Sequence, residues 1–530
     1  MINNVLIVIP PLVNREDDVD PDPSRPDFET RRLVSPVEPT SVAADLLARG
    51  FAVSLFDLGV HIENRYEKLG RHMAQFAPDA VVMVQAILSF ATAQDWDGRQ
   101  VFDLARTQNP DMVTVLTGNM ATNYPGLAVS QGVCGYSIRG EVDFALGALL
   151  AVLAEQGDAR AVPGVAFQTG DGGLYCADSY PQVDAGLLPR PAYHLLDRTH
   201  VAQYEKTLEV GKIRYPARSP KYRDIMLSRS CILRCSYCCV AHLRGPRQKY
   251  RRKPIENAMR EIEDALAQGV EEIHFFDDLF ARSEADILEF TEALQRRGLK
   301  FPWFVGQGMP LWPLTRDALG AMVETGMYRL IAPYESGNDR VLRECAGKIH
   351  SSVAQHHDAT RWAHALGLEI IGMFVIGMPG ETRSDILDTL DFAESHPEID
   401  YSVFSIATPM VGTRLMRQVV AQGRLEDQDS INRVIKRTVA LYRTDAFAGY
   451  ELGVIRAFDW ARINFPTPAR KRKYAAMVGL SLTQLDQMIE HSKQTFRRFY
   501  PDYDGPLSFR DLYGHPGMFA EIEPRIPEKI

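Results

Sequence analysis

The sequence predicts an α/β protein in three parts: a doubly wound parallel sheet over residues 1–155, a partial (β/α)6 barrel over 223–415, and a mainly helical region over 416–530. Three observations predict it. Short apolar runs alternate with amphipathic helical patterns through the first 150 residues and again from 224 to 408, as parallel β/α units do. Between the two series, residues 156–222 are dense in proline and glycine, which reads as a linker with turns and a hairpin. Beyond Arg414 the strand-like runs give way to helical patterns.

In the first series, residues 4–10, 51–57, 80–86, 112–118 and 135–140 read as strands, with helices over 41–49, 67–75 and 98–107. The first run is apolar but short, and no basic segment precedes it, so it reads as a buried strand and not as a signal peptide. Ligands of such sheets bind at the carboxyl ends of the strands. The candidates there are Pro10-Pro11, Gln85-Ala86, Thr117-Gly118-Asn119 with Ala121-Thr122, and Arg139-Gly140-Glu141. Gly118 and Gly140 either admit a flat ligand close to the backbone or make ordinary strand-to-loop turns.

In the second series, strands are expected over 224–230, 271–278, 301–307, 327–334, 369–377 and 401–408, with helices over 255–268, 284–297, 352–366 and 383–395. Chemistry in such a barrel belongs at the carboxyl ends of the strands. Those ends carry a cysteine loop, Asp277-Asp278, Gln307, Tyr334-Glu335-Ser336-Gly337, and Gly372 through Gly377 to Glu381. Met378 and Met410 read as packing before cavity lining. In the last region, helices are expected over 418–423, 429–442 and 481–500, and Tyr450, Arg456 and Trp460 read as packing before substrate contacts.

The most specific pattern is Cys231-Ile-Leu-Arg-Cys235-Ser-Tyr-Cys238-Cys239, after the first strand of the second series. Three thiolates on one loop can grip three corners of a [4Fe–4S] cube and leave the fourth iron open. Zinc is the alternative, but a structural zinc takes four ligands, usually as two separated pairs. Cys134, Cys176 and Cys345 supply no second pair, and Cys239 is adjacent to Cys238.

A C-x3-C-x2-C loop with an aromatic residue before the last cysteine, Tyr237, resembles the signature of the radical S-adenosylmethionine (SAM) enzymes. The resemblance implies Cys231, Cys235 and Cys238 as cluster ligands and Tyr237 beside the SAM adenine. The lead-in Ser228-Arg229-Ser230-Cys231-Ile232 departs from the family's Ser-Arg-Gly-Cys-Pro without changing a ligand. Glu335-Ser336-Gly337 resembles the Glu-Ser-Gly step that contacts SAM, and the stretch holding Gly377 loosely resembles a region lying along the adenine. Asp278 reads either as a carboxylate for the SAM ammonium or as part of a solvated turn.

The first 150 residues resemble the Rossmann-like cobalamin-binding domain that precedes the radical domain in one large subfamily, which includes the anaerobic magnesium-protoporphyrin cyclase and many methylases. Pro10-Pro11, Leu47 to Gly50, Pro78-Asp79, Leu116 to Thr122 and Arg139-Gly140-Glu141 carry that resemblance. It implies Pro10, Gln85, Gly118, Asn119, Gly140 and Glu141 as cofactor contacts. The subfamily's D-x-H-x-x-G motif would fall where this chain reads Pro11-Leu-Val-Asn-Arg-Glu, and His61 reads as an ordinary loop residue. Cobalamin is therefore expected without a histidine lower ligand, the alternative being a domain that keeps the fold without the cofactor.

Composition narrows the partners. A net charge of −9 argues against nucleic acid, which wants a basic face. The run Arg470-Lys471-Arg472-Lys473 reads as a solvated helix start. No apolar run reaches the length of a transmembrane helix, and clustered thiols fit a reducing, cytoplasmic setting. The expected activity is cobalamin-dependent methyl transfer to an unactivated carbon or phosphorus of a small molecule, with electrons from a flavodoxin or ferredoxin that the family implies. Radical ring formation or rearrangement is the near alternative, and a cobalamin or iron–sulfur sensor the distant one. A methylthiolating enzyme is disfavoured, because that group carries further cysteines in its first domain.

Overall fold

A computed structural model of the chain describes residues 2–10, 36–58, 64–85, 98–181, 183–196, 217–219, 221–246, 249–425, 440, 442, 444–514, 522 and 525. It forms two compact units. One comprises Met1–Thr207 with Val240–Pro254, the other Leu208–Cys239 with Ile255–Ile530.

The first unit is built on one sheet. Strands β1 (Asn4–Ile9), β2 (Ala52–Asp57), β3 (Ala80–Val84), β4 (Val113–Thr117) and β5 (Tyr136–Ile138) lie in the order β2-β1-β3-β4-β5, all parallel. All five residues of β3 are buried, as expected of a strand covered on both faces. Val5 and Ile7 pack under helices Val37–Ala48 and Ala145–Ala154, whereas Leu6 and Val8 pack under Arg65–Phe76 and Arg99–Gln108. Inside the expected linker, β6 (Val165–Gln168) and β7 (Leu174–Cys176) form an antiparallel hairpin that extends the sheet beyond β5. Tyr136, Phe167 and Tyr175 bind the hairpin to the sheet through ring contacts at 5.9 and 5.3 Å.

The second unit is a six-stranded parallel sheet in strictly sequential order: Tyr222–Ile225, Glu272–Phe275, Trp303–Val305, Met327–Glu335, Glu369–Ile376 and Tyr401–Ile406. A β/α series in sequential order curls into a partial barrel. Its helices begin where a hydroxyl can take a free amide. Ser283, Thr315, Ser352 and Thr382 cap Glu284–Arg296, Arg316–Glu324, Val353–Ala365 and Arg383–Ser395. Phe275, Phe280, Phe290 and Trp303 pack between sheet and helices at 5.3–5.9 Å.

On the opposite face of the same strands, His274 stands 2.8 Å from Glu272 and 3.4 Å from Asp224. Burial pulls the His274 imidazole down, yet the two carboxylates together hold it above its ordinary value.

Helices Arg414–Ala421, Gly449–Val454, Trp460–Asn464, Pro468–Met477, Leu482–Phe499 and Phe509–Tyr513 complete the unit. Of the expected helix over 429–442, only residues 440 and 442 are described. Tyr450 and Trp460 are buried, and Trp460 donates its indole N–H to the Tyr401 hydroxyl at 3.0 Å. The basic run does start a helix, and Arg470 donates to the carbonyls of Pro397 and Ile399. Among the described residues no helix is long and apolar enough to cross a membrane.

Candidate functional site

The cysteine loop follows the first barrel strand and is shaped by the carboxylates that end the second. Asp277 Oδ1 accepts the amides of Leu227, at 3.0 Å, and of Ser228. Asp278 Oδ2 accepts the Ser230 amide at 2.7 Å. Ser230 has φ +66°, a left-handed conformation that favours glycine, so the carboxylate holds a strained turn immediately before Cys231. The aspartate pair is thus no solvated turn, and Asp278 reaches the loop through its backbone. Farther along, Ser236 donates its N–H to the Ala346 carbonyl and accepts from the Leu415 N–H, both at 2.8 Å.

Burial pushes the Cys231 thiol up to about 12 and raises that of Cys235, with Lys348 working in the opposite direction. Thiols in such a place ionise readily only against added positive charge, which bound iron would supply. The Leu233 N–H points at Cys231 Sγ at 3.4 Å, a contact suited to a metal-bound thiolate. Among the described residues no three His, Cys, Asp or Glu side chains converge on a single-ion position. Cys231, Cys235 and Cys238 on one loop are the donor set that would suit a cubane, in which each cysteine takes its own iron.

Beside the loop, Glu335 ends the fourth strand at φ +63°, and its buried carboxylate pairs with Lys348 Nζ at 2.8 Å. Burial pulls the Lys348 ammonium down, but Glu335 and the thiols of Cys235 and Cys231 hold it above its ordinary value. The Tyr237 hydroxyl lies near Glu335 and Cys235, and burial holds its proton on. Ser336 faces inward instead: its hydroxyl meets that of Thr389 at 2.9 Å, so it fixes the turn and presents no side chain to the mouth.

At the fifth strand end, Gly377 (φ +86°) donates to Glu381 Oε2 at 2.6 Å, as Met378 does at 2.9 Å. The Gly377 carbonyl accepts from the Tyr442 hydroxyl. Glu381 Oε1 has no partner among the described residues, and burial pushes the carboxyl up to about 8. Gln307 is exposed at the third strand end.

At the carboxyl edge of the first unit, the polar side chains are committed to one another. Gln85 Oε1 accepts the Met120 N–H at 2.9 Å, Asn119 Oδ1 accepts from Asn123 at 2.8 Å, and Thr122 Oγ1 accepts the Gly140 N–H at 2.8 Å. Gly118 (φ +90°) crosses Gln85 so closely that a Cβ would stand 1.9 Å from its carbonyl oxygen. Glu141 is buried between Arg244, at 3.4 Å, and Arg251, at 2.5 Å, while Arg244 also meets Glu38 at 2.9 Å. His242 meets Asn123 Oδ1 at 3.1 Å.

These arginines and His242 lie on the segment that follows Cys239 and belongs to the first unit. A flat cofactor at this edge would meet mainly backbone, beside Pro10 at the end of β1. The loops after β1, β2 and β3, with Pro11, His61 and Ala86, lie outside the described residues.

Sequence reasoning missed Lys348, the clasping role of Asp277, the Glu381–Tyr442 support of Gly377, and the Arg244–Glu141–Arg251 group. An isolated lysine or glutamate carries no periodicity or motif of its own. Asp277, Glu381 and Glu141 stood in stretches already singled out, but the pairings that give them these roles were not legible there.

Residues 225–393 match the family model described as the radical SAM superfamily. The chain is 26% identical over 414 residues to cytidylyl-2-hydroxyethylphosphonate methyltransferase of Streptomyces wedmorensis, covering 73% of this chain and 74% of that one. It is 26% identical over 384 residues to an uncharacterized methyltransferase of Pyrococcus horikoshii, covering 72% and 78%. Its fold resembles that of the radical SAM methyltransferase TsrM from Kitasatospora setae with cobalamin and a [4Fe–4S] cluster bound, with TM-score 0.60, 17% identity, and 80% and 78% of the two chains covered. It also resembles the cobalamin-dependent SAM radical enzyme OxsB, with TM-score 0.64, 15% identity, and 95% and 74% covered.

Proposed function

We propose that this chain, a radical SAM enzyme, is a cobalamin-dependent methyltransferase acting on an unactivated carbon or phosphorus of a small molecule. The observation that carries the reading is the C-x3-C-x2-C loop at the carboxyl end of the first barrel strand, with Glu335, Lys348 and Tyr237 gathered beside it. When bound, the cluster would supply one electron that splits SAM into methionine and a 5′-deoxyadenosyl radical, and cobalamin would supply the methyl group.

Cys231, Cys235 and Cys238 would hold the cluster. The Glu335–Lys348 pair offers a carboxylate and an ammonium side by side next to Cys235, the complement of the amino-acid end of SAM. Tyr237 keeps its phenolic proton beside Glu335. Asp277 and Asp278 fix the loop, and Glu381 with Tyr442 fixes the Gly377 turn that would face the adenine.

In the first unit, Pro10, Gln85, Gly118, Asn119, Gly140 and Glu141 would form the cobalamin edge, mainly through backbone and without a histidine below cobalt. The strand order β2-β1-β3 reverses direction there, where doubly wound sheets take their ligands. A small-molecule substrate agrees with the name of the Streptomyces relative, and electrons would come from a flavodoxin or ferredoxin.

The test uses anaerobically reconstituted protein with hydroxocobalamin, SAM and dithionite, comparing wild type with Cys235→Ala. Bound cobalamin with release of both 5′-deoxyadenosine and S-adenosylhomocysteine is expected, and the variant should lose the deoxyadenosine. Deoxyadenosine without homocysteine would point to ring formation or rearrangement, and intact SAM would end the radical reading.

A further inference from the structure

We propose that the outer side of the cysteine loop is the docking surface for an acidic, one-electron carrier protein. The proposal rests on the radical reading above and adds where the electron enters.

Three stretches that carry exposed side chains meet at Gly347. A Cβ placed there would stand 3.2 Å from the Arg234 carbonyl oxygen, 3.3 Å from Arg414 Nη2 and 3.8 Å from the Cys235 Cα. Arg414 also donates to the Cys345 carbonyl at 3.2 Å, and Ser236 ties the loop to Ala346 and Leu415. The surface around this point therefore lies directly outside a proposed cluster ligand, with one backbone layer between.

The surface is basic. Arg234, Arg343, Arg414 and Arg417 are exposed across residues 232–234, 343–349 and 414–420. The only acid in those stretches is Glu344, which stands 3.7 Å from Arg340. Against a chain charge of −9, this is a local reversal of sign. Exposed apolar side chains lie among the arginines, with Ile349 at 68% and Ile232 at 44% of full exposure.

Apolar area flanked by arginine is what a transient protein interface uses, and the arginines would steer an acidic partner to the surface. A second copy of this chain is a poorer occupant because it would bring the same basic face. The step is balanced: the reduced carrier loses one electron, and the carbon–sulfur bond of SAM breaks to methionine and the deoxyadenosyl radical.

The experiment compares wild type with the double variant Arg343→Glu, Arg417→Glu, using the full, reconstituted chain. Deoxyadenosine formation is driven either by flavodoxin with its NADPH-dependent reductase or by saturating dithionite, which needs no docking. The flavodoxin-driven rate should fall ten-fold or more in the variant while the dithionite-driven rate stays within two-fold. The wild-type flavodoxin rate should drop steeply with salt, and Arg343→Lys with Arg417→Lys should restore most of it. Equal flavodoxin rates in wild type and variant, or a wild-type rate indifferent to salt, would overturn the docking surface. A wild type that cleaves no SAM even with dithionite would remove the reading beneath it, a result distinguishable from either.

Discussion

Lys348 and Glu335 are each worth more to the fold as a pair than alone. Both side chains are buried, and the ammonium also donates to the Pro333 carbonyl at 3.0 Å. Truncating one partner strands a charge away from water. Lys348→Met should destabilise the second unit by about 3–5 kcal/mol, whereas Lys348→Met with Glu335→Gln should recover part of that loss, measured by urea unfolding. His356 is the opposite case. It is fully buried with neither ring nitrogen bonded among the described residues, and burial pushes its imidazole down to about 3. His356→Leu removes two unsatisfied polar atoms and should stabilise by about 1–2 kcal/mol.

At the scale of elements, glycines decide where loops can cross. Gly118 has no room for a Cβ against the Gln85 backbone, and its φ disfavours any other residue. Gly118→Ala should cost about 2–4 kcal/mol in the first unit, lowering its unfolding midpoint. Gly140 (φ +75°) shares the conformational strain, but a methyl group there would crowd the movable Tyr180 ring, at 2.9 Å, and no backbone, so its replacement should cost less. Equal losses at the two positions would contradict this ordering.

The first five strands of the sheet were legible because β1 and β3 are continuous apolar runs. The β6–β7 hairpin was legible only as a hairpin within the linker; its pairing with β5, which ends 27 residues before β6 begins, left no local signal. Only tertiary pairing makes it part of a sheet.

Over the whole molecule, two buried groups, Glu381 and His274, favour the lower pH, against His356, whose depressed imidazole favours the higher. Burial holds the Glu381 carboxyl at about 8, above its ordinary 4.5. A raised folded value means that the native state binds the proton more tightly than the unfolded chain does. The stability it contributes is therefore full below pH 4.5 and lost as pH rises through about 8. His274 acts in the same direction: its contribution is full below its ordinary value of 6.5 and fades as pH rises through the higher folded value. The urea midpoint should be lower at pH 8.5 than at pH 6, and the difference should shrink in Glu381→Gln. A difference unchanged in that variant would show that other groups carry it.

The order of parallel β/α units and the thiol loop could be read from the chain before folding, because apolar periodicity and the spacing of Cys231, Cys235 and Cys238 are local properties. So could the position of Glu335 and Gly377 at strand ends. What those ends do was settled by packing. Glu335 meets Lys348, Asp278 spends an oxygen on Ser230, Ser336 turns to Thr389, and Glu141 is enclosed by arginines about a hundred residues away. A polar side chain takes whichever partner the packed chain brings to it, and contacts across tens of residues leave no period to read.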